Sequence, residues 1–95
     1  MIYEIVIDDL ATVDIQSAVE YYEEISSGLG FRLLDEFESL INQLSINPNT
    51  NGYFDRYHRK ARLKKFPFLV FYEVSGNKVI IARFRHAKRD LKNLF

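Results

Sequence analysis

The feature of this sequence that most constrains its fold is a change in hydrophobic spacing near Asn47 and Pro48. Before this point apolar residues recur every three or four positions, as they do along one face of a helix. After it, apolar and polar residues alternate in short runs that are typical of strands. A chain of 95 residues builds one small core, so residues 1–95 are predicted to form a single domain in which helices pack against strands.

The predicted elements follow one another in the order strand, helix, helix, strand, strand, strand. A short joint at Ser26-Ser27-Gly28 separates the helices, which therefore form an antiparallel hairpin, and short connections make the last three strands a meander. One layer of helices must then cover one face of the sheet. The sequence thus predicts an α+β fold with a helical hairpin on a mainly antiparallel four-stranded sheet. The predicted strands cover residues 2–7, 57–65, 68–74 and 78–86, and the helices about 10–26 and 29–46.

Charge divides at the same place as the hydrophobic pattern. Residues 1–47 contain ten acids and one base, a net charge of −9, whereas residues 48–95 contain twelve bases and three acids, a net charge of +9. Such asymmetry between halves indicates a charged partner or nucleic acid. The sequence therefore predicts an acidic helical side and a cationic sheet.

Strand alternation predicts which cations point away from the helices. Ala61 and Leu63 mark the core side of the second strand, so the even-numbered cations face outward. On the fourth strand the arginines have the parity opposite to Ile80, Ala82 and Phe84, and they are predicted to face outward as well. Outward cations on these two strands fit either of two interpretations. They form a solvated face that resists aggregation, or they form a surface that binds phosphates or an acidic partner. The outward set comprises His58, Lys60, Arg62, Lys64, Arg83 and Arg85.

Two further residues are expected on the core side. Arg59 shares the parity of Ala61, and because an unpaired charge there would be costly, it is predicted to pair with an acid such as Glu36. His86 shares the parity of Phe84, which favours a strand-end histidine held by the backbone or a helix.

Several chemistries are excluded or left open by composition. The absence of cysteine rules out disulfides and a cysteine nucleophile and fits a cytoplasmic protein. The acidic N-terminal segment and the short apolar runs predict neither export nor membrane insertion. Two histidines without an acid cluster predict no metal and no cofactor. A metal-free ribonuclease stays open, since it needs only an acid, a base and cations around phosphate, which His86 and the strand cations Arg62, Lys64, Arg83 and Arg85 could supply.

The ordered set of motifs resembles the RelE/ParE family of type II toxin–antitoxin toxins, also known as plasmid stabilisation proteins. The resemblance spans nearly the whole chain, and the predicted element order is that of the family. The GLG turn and the FPF junction are similar to the ParE side, and the chain ends in Leu94-Phe95 where several RelE-like nucleases have a tyrosine. The resemblance is carried by Ala18, Tyr21-Tyr22, Gly28-Leu29-Gly30-Phe31-Arg32, Glu36, Asn47-Pro48, Arg59, Leu63, Phe66-Pro67-Phe68, Tyr72, His86 and Lys88-Arg89-Asp90.

The resemblance implies a bacterial toxin that inhibits growth and is neutralised by a cognate antitoxin. ParE-like members inhibit DNA gyrase without a nuclease site, and RelE-like members cut mRNA on the ribosome. An inactive relative that only binds an antitoxin is a third alternative. For a nuclease, the positions implied as catalytic are Arg62, Arg83 and His86; otherwise the outward cations would meet the target or the antitoxin. The implied assemblies are a homodimer or a toxin–antitoxin hetero-oligomer, with no membrane partner.

Overall fold

The computed structural model describes residues 2–89, 91–92 and 94–95, so that Asp90 of the motif set lies outside the described residues. The elements follow the predicted order, and their bounds agree with the predicted ones to within one residue except that the first and second strands are shorter. None of the helices in this described part is long and apolar enough to cross a lipid bilayer. The elements are β1 (Glu4–Ile7), α1 (Asp9–Ile25), α2 (Leu29–Ile46), a 3-10 turn (Pro48–Thr50), β2 (Arg59–Arg62), β3 (Phe68–Ser75) and β4 (Lys78–His86).

The four strands form one mixed sheet in the order β1-β4-β3-β2. β1 runs parallel to β4, and the other two pairs are antiparallel, which confirms the predicted mainly antiparallel sheet. A parallel pair needs a long crossover. Here the chain leaves β1 through the helical hairpin, enters the sheet again at the far edge as β2, and returns through β3 to β4.

The two glycines of the helix joint have different physical roles. Gly28 has φ +89°, a left-handed conformation that a side chain disfavours. Gly30 lies where the helices approach most closely, and a Cβ there would stand 2.5 Å from the Val19 carbonyl oxygen. The Glu23 carboxylate accepts hydrogen bonds from both glycine N–H groups, at 3.1 and 2.8 Å, and so satisfies the start of α2.

The core lies between the helical hairpin and one face of the sheet. Phe84 is its aromatic centre: it stacks on Phe68 with ring centroids 4.7 Å apart and meets Phe37 edge-on at 5.4 Å. Small residues on α1 let the helix lie close to the strands. The buried core cluster consists of Ala11, Ala18, Leu33, Phe37, Leu44, Ala61, Leu63, Phe66, Phe68, Val70, Tyr72, Val79, Ile81 and Phe84.

An irregularity in β4 overturns part of the predicted alternation. Tyr72 pairs with Ile81 but Phe71 pairs with Arg83, so Ala82 is an extra residue. Such a bulge inverts side-chain parity on the bulged strand. As a result Ile81 is buried in the core before the bulge, and the prediction that Ile80 and Ala82 share the core face of Phe84 is wrong.

Tyr72 anchors the loop between α2 and β2. This fully buried residue donates a hydrogen bond from its hydroxyl to the Pro48 carbonyl at 2.7 Å and accepts one from the Asn51 side chain at 3.1 Å. Burial raises the pKa of the Tyr72 hydroxyl. The loop is therefore tied to the sheet, which positions the turn that precedes β2.

Candidate functional site

The predicted cations are brought together on the outer sheet face, the face of the sheet opposite the helices. Strand register aligns Lys60, Phe71 and Arg83 in one row across the sheet. The next row holds Arg62, Leu69 and Arg85. The predicted exposure is confirmed for Lys60, Arg62 and Lys64. The outer face is therefore cationic at its β2 edge.

Part of this outer sheet face is covered by the protein itself. Phe71 is fully buried although it points away from the helical core. The ring of Phe54 lies 4.6 Å from it and that of Phe95 lies 6.0 Å away. Leu94 is buried as well. The loop before β2 and the C-terminal residues thus form a second, smaller apolar cluster that strand alternation does not predict.

His58 belongs to this covered part of the outer sheet face and is not an exposed cation. Its Nδ1 lies 3.0 Å from the Asp55 carboxylate and its Nε2 lies 3.6 Å from that of Glu73. The ring stacks on Phe95, with centroids 3.7 Å apart and planes 7° apart. Only 12% of the side chain is exposed. His58 thus lies on the outer sheet face as predicted, but it is not an available surface cation, because aromatic and acidic neighbours enclose it.

Asp55 organises the turn that carries His58. One carboxylate oxygen accepts hydrogen bonds from the backbone N–H groups of Tyr57 and His58, at 2.8 and 2.7 Å. Phe54 N–H bonds in turn to the His58 carbonyl at 2.7 Å. Desolvation raises the pKa of Asp55, but these N–H donors together with the His58 side chain outweigh it and hold the pKa below its usual value. The turn 54–58 is consequently a defined structure.

Arg83 links three parts of the molecule and is also enclosed. Its guanidinium makes two hydrogen bonds to the Asp14 carboxylate, at 2.8 and 3.1 Å, and a third to the Leu94 carbonyl at 3.2 Å. The bond to Asp14 raises the pKa of Arg83 despite partial desolvation. The pairing with Phe71 confirms that Arg83 starts on the outer sheet face as predicted, but with 13% of its side chain exposed it is not an available surface cation.

Asp14 also explains the position of Arg85. The strand β1 ends at Ile7, so the later part of β4 is flanked by α1 instead of a strand. There Asp14 accepts a hydrogen bond from the Phe84 backbone N–H at 3.1 Å and lies 3.6 Å from the Arg85 guanidinium. The predicted outward orientation of Arg85 is confirmed by its pairing with Leu69, but its charge faces Asp14.

His86 lies on the helix side of the sheet, as its shared parity with Phe84 predicts. It pairs with Phe68 across the strands, and its ring meets the Phe68 ring edge-on at 5.5 Å. Its Nδ1 accepts a hydrogen bond from the Lys88 backbone N–H at 3.1 Å, which confirms a strand-end histidine held by the backbone.

The predicted pairing of Arg59 with Glu36 is wrong. Arg59 donates to the Asn51 carbonyl and to the Tyr53 hydroxyl, and its guanidinium lies 4.2 Å above the Tyr53 ring. Glu36 instead accepts a hydrogen bond from the Lys65 backbone N–H at 2.7 Å. Arg59 lies at the start of β2, whereas Glu36 contacts the chain beyond the end of that strand.

A groove separates α2 from the edge strand β2. Arg62 and Lys64 line it from the strand side, and Glu36, Leu40 and Gln43 line it from the helix. The groove therefore combines exposed cations with an apolar floor beside an edge strand, and edge strands and apolar grooves are the features that extended or helical peptides recognise.

The three residues implied as catalytic for a nuclease do not lie around one site. Arg62 lines the α2–β2 groove, Arg83 is bonded to Asp14, and His86 lies on the opposite face of the sheet. A metal-free ribonuclease needs its acid, base and cations around one phosphate. In this arrangement these three side chains do not surround a common space.

Comparisons with known proteins agree with the fold. A family profile described as the ParE toxin of type II toxin–antitoxin system, parDE, matches residues 5–91. A structure titled chromosomal ParDE TA system from P. aeruginosa superposes with a TM-score of 0.82 at 16% identity, covering 92% of this chain and 98% of that chain. A mutant of E. coli toxin RelE in the free state superposes with a TM-score of 0.55 at 15% identity, covering 93% of this chain and 86% of that chain. No curated protein sequence matches the chain.

Proposed function

The chain belongs to the ParE toxin family of type II toxin–antitoxin systems, and from this premise we propose that it inhibits growth by binding DNA gyrase and that a cognate antitoxin neutralises it. The observation that carries the proposal is the dispersal of the nuclease candidates. Arg83 already bonds to Asp14 and Leu94, and His86 faces the helices. A surface that binds a protein tolerates such an arrangement, whereas phosphodiester cleavage does not.

The proposed antitoxin surface is the cationic β2 edge with the α2–β2 groove. Lys60, Arg62 and Lys64 are exposed there, and Leu40 contributes an apolar contact. A disordered antitoxin segment that carries acids and apolar anchors would order itself on such a surface. Of the six predicted cations, these three are the ones that carry the proposal, because His58, Arg83 and Arg85 face carboxylates of the protein itself.

A supercoiling assay tests the proposed target. Purified protein in stoichiometric excess over gyrase is expected to inhibit the supercoiling of relaxed plasmid, and prior addition of the product of the adjacent antitoxin gene is expected to restore it. Supercoiling that proceeds unchanged under these conditions would contradict the proposal. The reaction without toxin but with antitoxin is the matched control.

Ribosome-dependent mRNA cleavage is a second candidate, favoured by the exposed cations of β2. RNA backbones bind such rows with strongly salt-dependent affinity. Its test is cleavage of mRNA on translating ribosomes by the wild type and by the triple variant Arg62→Ala, Arg83→Ala, His86→Ala. Cleavage that the triple variant retains would exclude these residues as the catalytic set.

An inactive, antitoxin-binding relative is the remaining alternative. Expression in cells that lack the antitoxin separates it from both toxins, because an active toxin stops growth and an inactive relative does not. The measurement is the growth rate after induction.

A further inference from the structure

Exposed aromatic side chains are concentrated in the loop before β2 and in the C-terminal residue that packs against it. Tyr53, Phe54 and Tyr57 come from the loop before β2, and Phe95 from the C-terminus; Tyr57 is 66% exposed and Phe95 56%. Phe54 and Phe95 are in contact, with ring centroids 6.4 Å apart. Single exposed apolar residues are common, but exposed rings that contact each other, as Phe54 and Phe95 do, mark an interaction site. We call Tyr53, Phe54, Tyr57 and Phe95 the aromatic surface.

The aromatic surface is held rigidly in place. The carboxylate of Asp55 fixes the turn through two backbone N–H groups, at 2.7 and 2.8 Å. Phe54 packs on the buried Phe71, and Phe95 stacks on His58. Because the turn and the rings of Phe54 and Phe95 are packed before any partner arrives, binding here would lose little of their conformational entropy.

The charges at its border are cationic. Arg56 and Lys60 are exposed beside the aromatic surface, and within the described part of the chain neither forms an ion pair. The nearby Asp55 instead directs its oxygens to the N–H groups of its own turn and to His58. The complementary surface is therefore acidic, with apolar depressions for the rings.

We propose that the aromatic surface, with Arg56 and Lys60, is the place where this toxin docks on an acidic surface of its target protein. The inference rests on the proposed function, in which that protein is gyrase. Tyrosine, phenylalanine and arginine are enriched at the centres of protein interfaces, where a few of them contribute most of the binding energy. Tyr57 and Arg56, at the tip of the turn, are the expected anchors.

A protein partner fits better than single-stranded nucleic acid. Base stacking needs ring faces that are open along a cationic groove. Here Arg59 covers one face of Tyr53 at 4.2 Å, and His58 covers one face of Phe95. One face of each of these two rings is therefore already occupied by the protein itself, which leaves less open ring surface for stacked bases.

Binding to purified gyrase, together with supercoiling inhibition, tests this docking site. Tyr57→Ala and Arg56→Glu are each expected to weaken both by about tenfold or more, because they remove central anchors. Phe31→Ala is the matched control, since Phe31 is 65% exposed on α2, away from the aromatic surface, and it should change neither by more than about twofold. Thermal unfolding of every variant should match the wild type.

The outcomes separate the two proposals. If wild-type protein inhibits gyrase and both variants bind as tightly as it does, the docking site is overturned and the proposed function stands. If wild-type protein does not bind gyrase, both are overturned. If wild-type protein binds a fluorescent single-stranded oligonucleotide and Tyr57→Ala abolishes that binding, the aromatic surface is a nucleic-acid site and the inference is overturned.

Discussion

At the scale of single residues, Asp14 contacts three consecutive residues of β4. One carboxylate accepts hydrogen bonds from the Arg83 guanidinium and the Phe84 backbone and lies 3.6 Å from Arg85. It thereby completes the β4 edge where β1 has ended. The same residue makes Arg83 a structural arginine, so an arginine that looks like a phosphate ligand in the sequence instead joins α1 to the sheet.

Asp14→Ala is expected to lower the free energy of unfolding by about 2–4 kcal/mol, because it leaves a largely enclosed guanidinium and a backbone N–H without their acceptor. Urea unfolding followed by circular dichroism measures the change. Glu20→Ala, an exposed acid on the same helix, is the control and should shift the value by no more than about 0.5 kcal/mol. Equal stability of the two variants would contradict the role assigned to Asp14.

At the scale of elements, the helical hairpin depends on the close approach of α1 and α2 at Gly30, and the turn before β2 depends on the carboxylate of Asp55. Gly30 brings α2 against the Val19 carbonyl of α1, and Asp55 satisfies the N–H groups of the turn that leads into β2. Both contacts are local enough for short sequence patterns to suggest a turn. Neither pattern shows how closely the two helices approach, or which backbone N–H groups the Asp55 carboxylate binds.

Gly30→Ala is expected to destabilise the protein by about 1–3 kcal/mol, although alanine has the higher helix propensity. The added Cβ would meet the Val19 carbonyl oxygen at 2.5 Å, and separating two packed helices costs more than the propensity gains. Thermal unfolding provides the measurement. Gly52→Ala is the control, since a Cβ there meets no atom within 4 Å; equal melting temperatures for the two variants would refute the close packing of the hairpin.

The turn around Asp55 should respond to acid. Its folded pKa lies below the unfolded value, so its contribution to stability is fully present above the unfolded pKa of about 3.9 and is lost as pH falls through the lower folded pKa. The amide proton shifts of Tyr57 and His58, followed by NMR, should titrate with a midpoint below about 3.9. In Asp55→Asn, which retains an acceptor oxygen, this acid titration should disappear; its persistence would assign it to another group.

At the scale of the whole molecule, the charge asymmetry of the sequence becomes an asymmetry in space. Ten of the thirteen acids lie in residues 1–47, which form the helices and β1, and the exposed cations Lys60, Arg62 and Lys64 lie on the opposite edge of the sheet. Such a field steers an acidic partner toward one side of the protein and acts on the rate of association more than on dissociation.

Lys60→Glu is therefore expected to slow association with the antitoxin by about threefold or more at low salt and to change the dissociation rate little. Surface plasmon resonance at two salt concentrations measures both rates. Lys78→Glu makes the same charge change at the start of β4 and should have a smaller effect. An association rate that Lys60→Glu leaves unchanged would place the antitoxin elsewhere.

Periodicity by itself determined the element order, the helical hairpin and the outward orientation of Lys60 and Arg62, because helix and strand spacing are local properties that a side-chain pattern records directly. The tertiary structure decided which cations are available. Asp14 and Arg83 are 69 positions apart, Phe95 comes from the other end of the strand region to cover His58, and the bulge at Ala82 depends on the pairing of β3 with β4. Such partners meet only when the sheet and the helices assemble, since no local pattern specifies which distant carboxylate or ring will satisfy a given side chain.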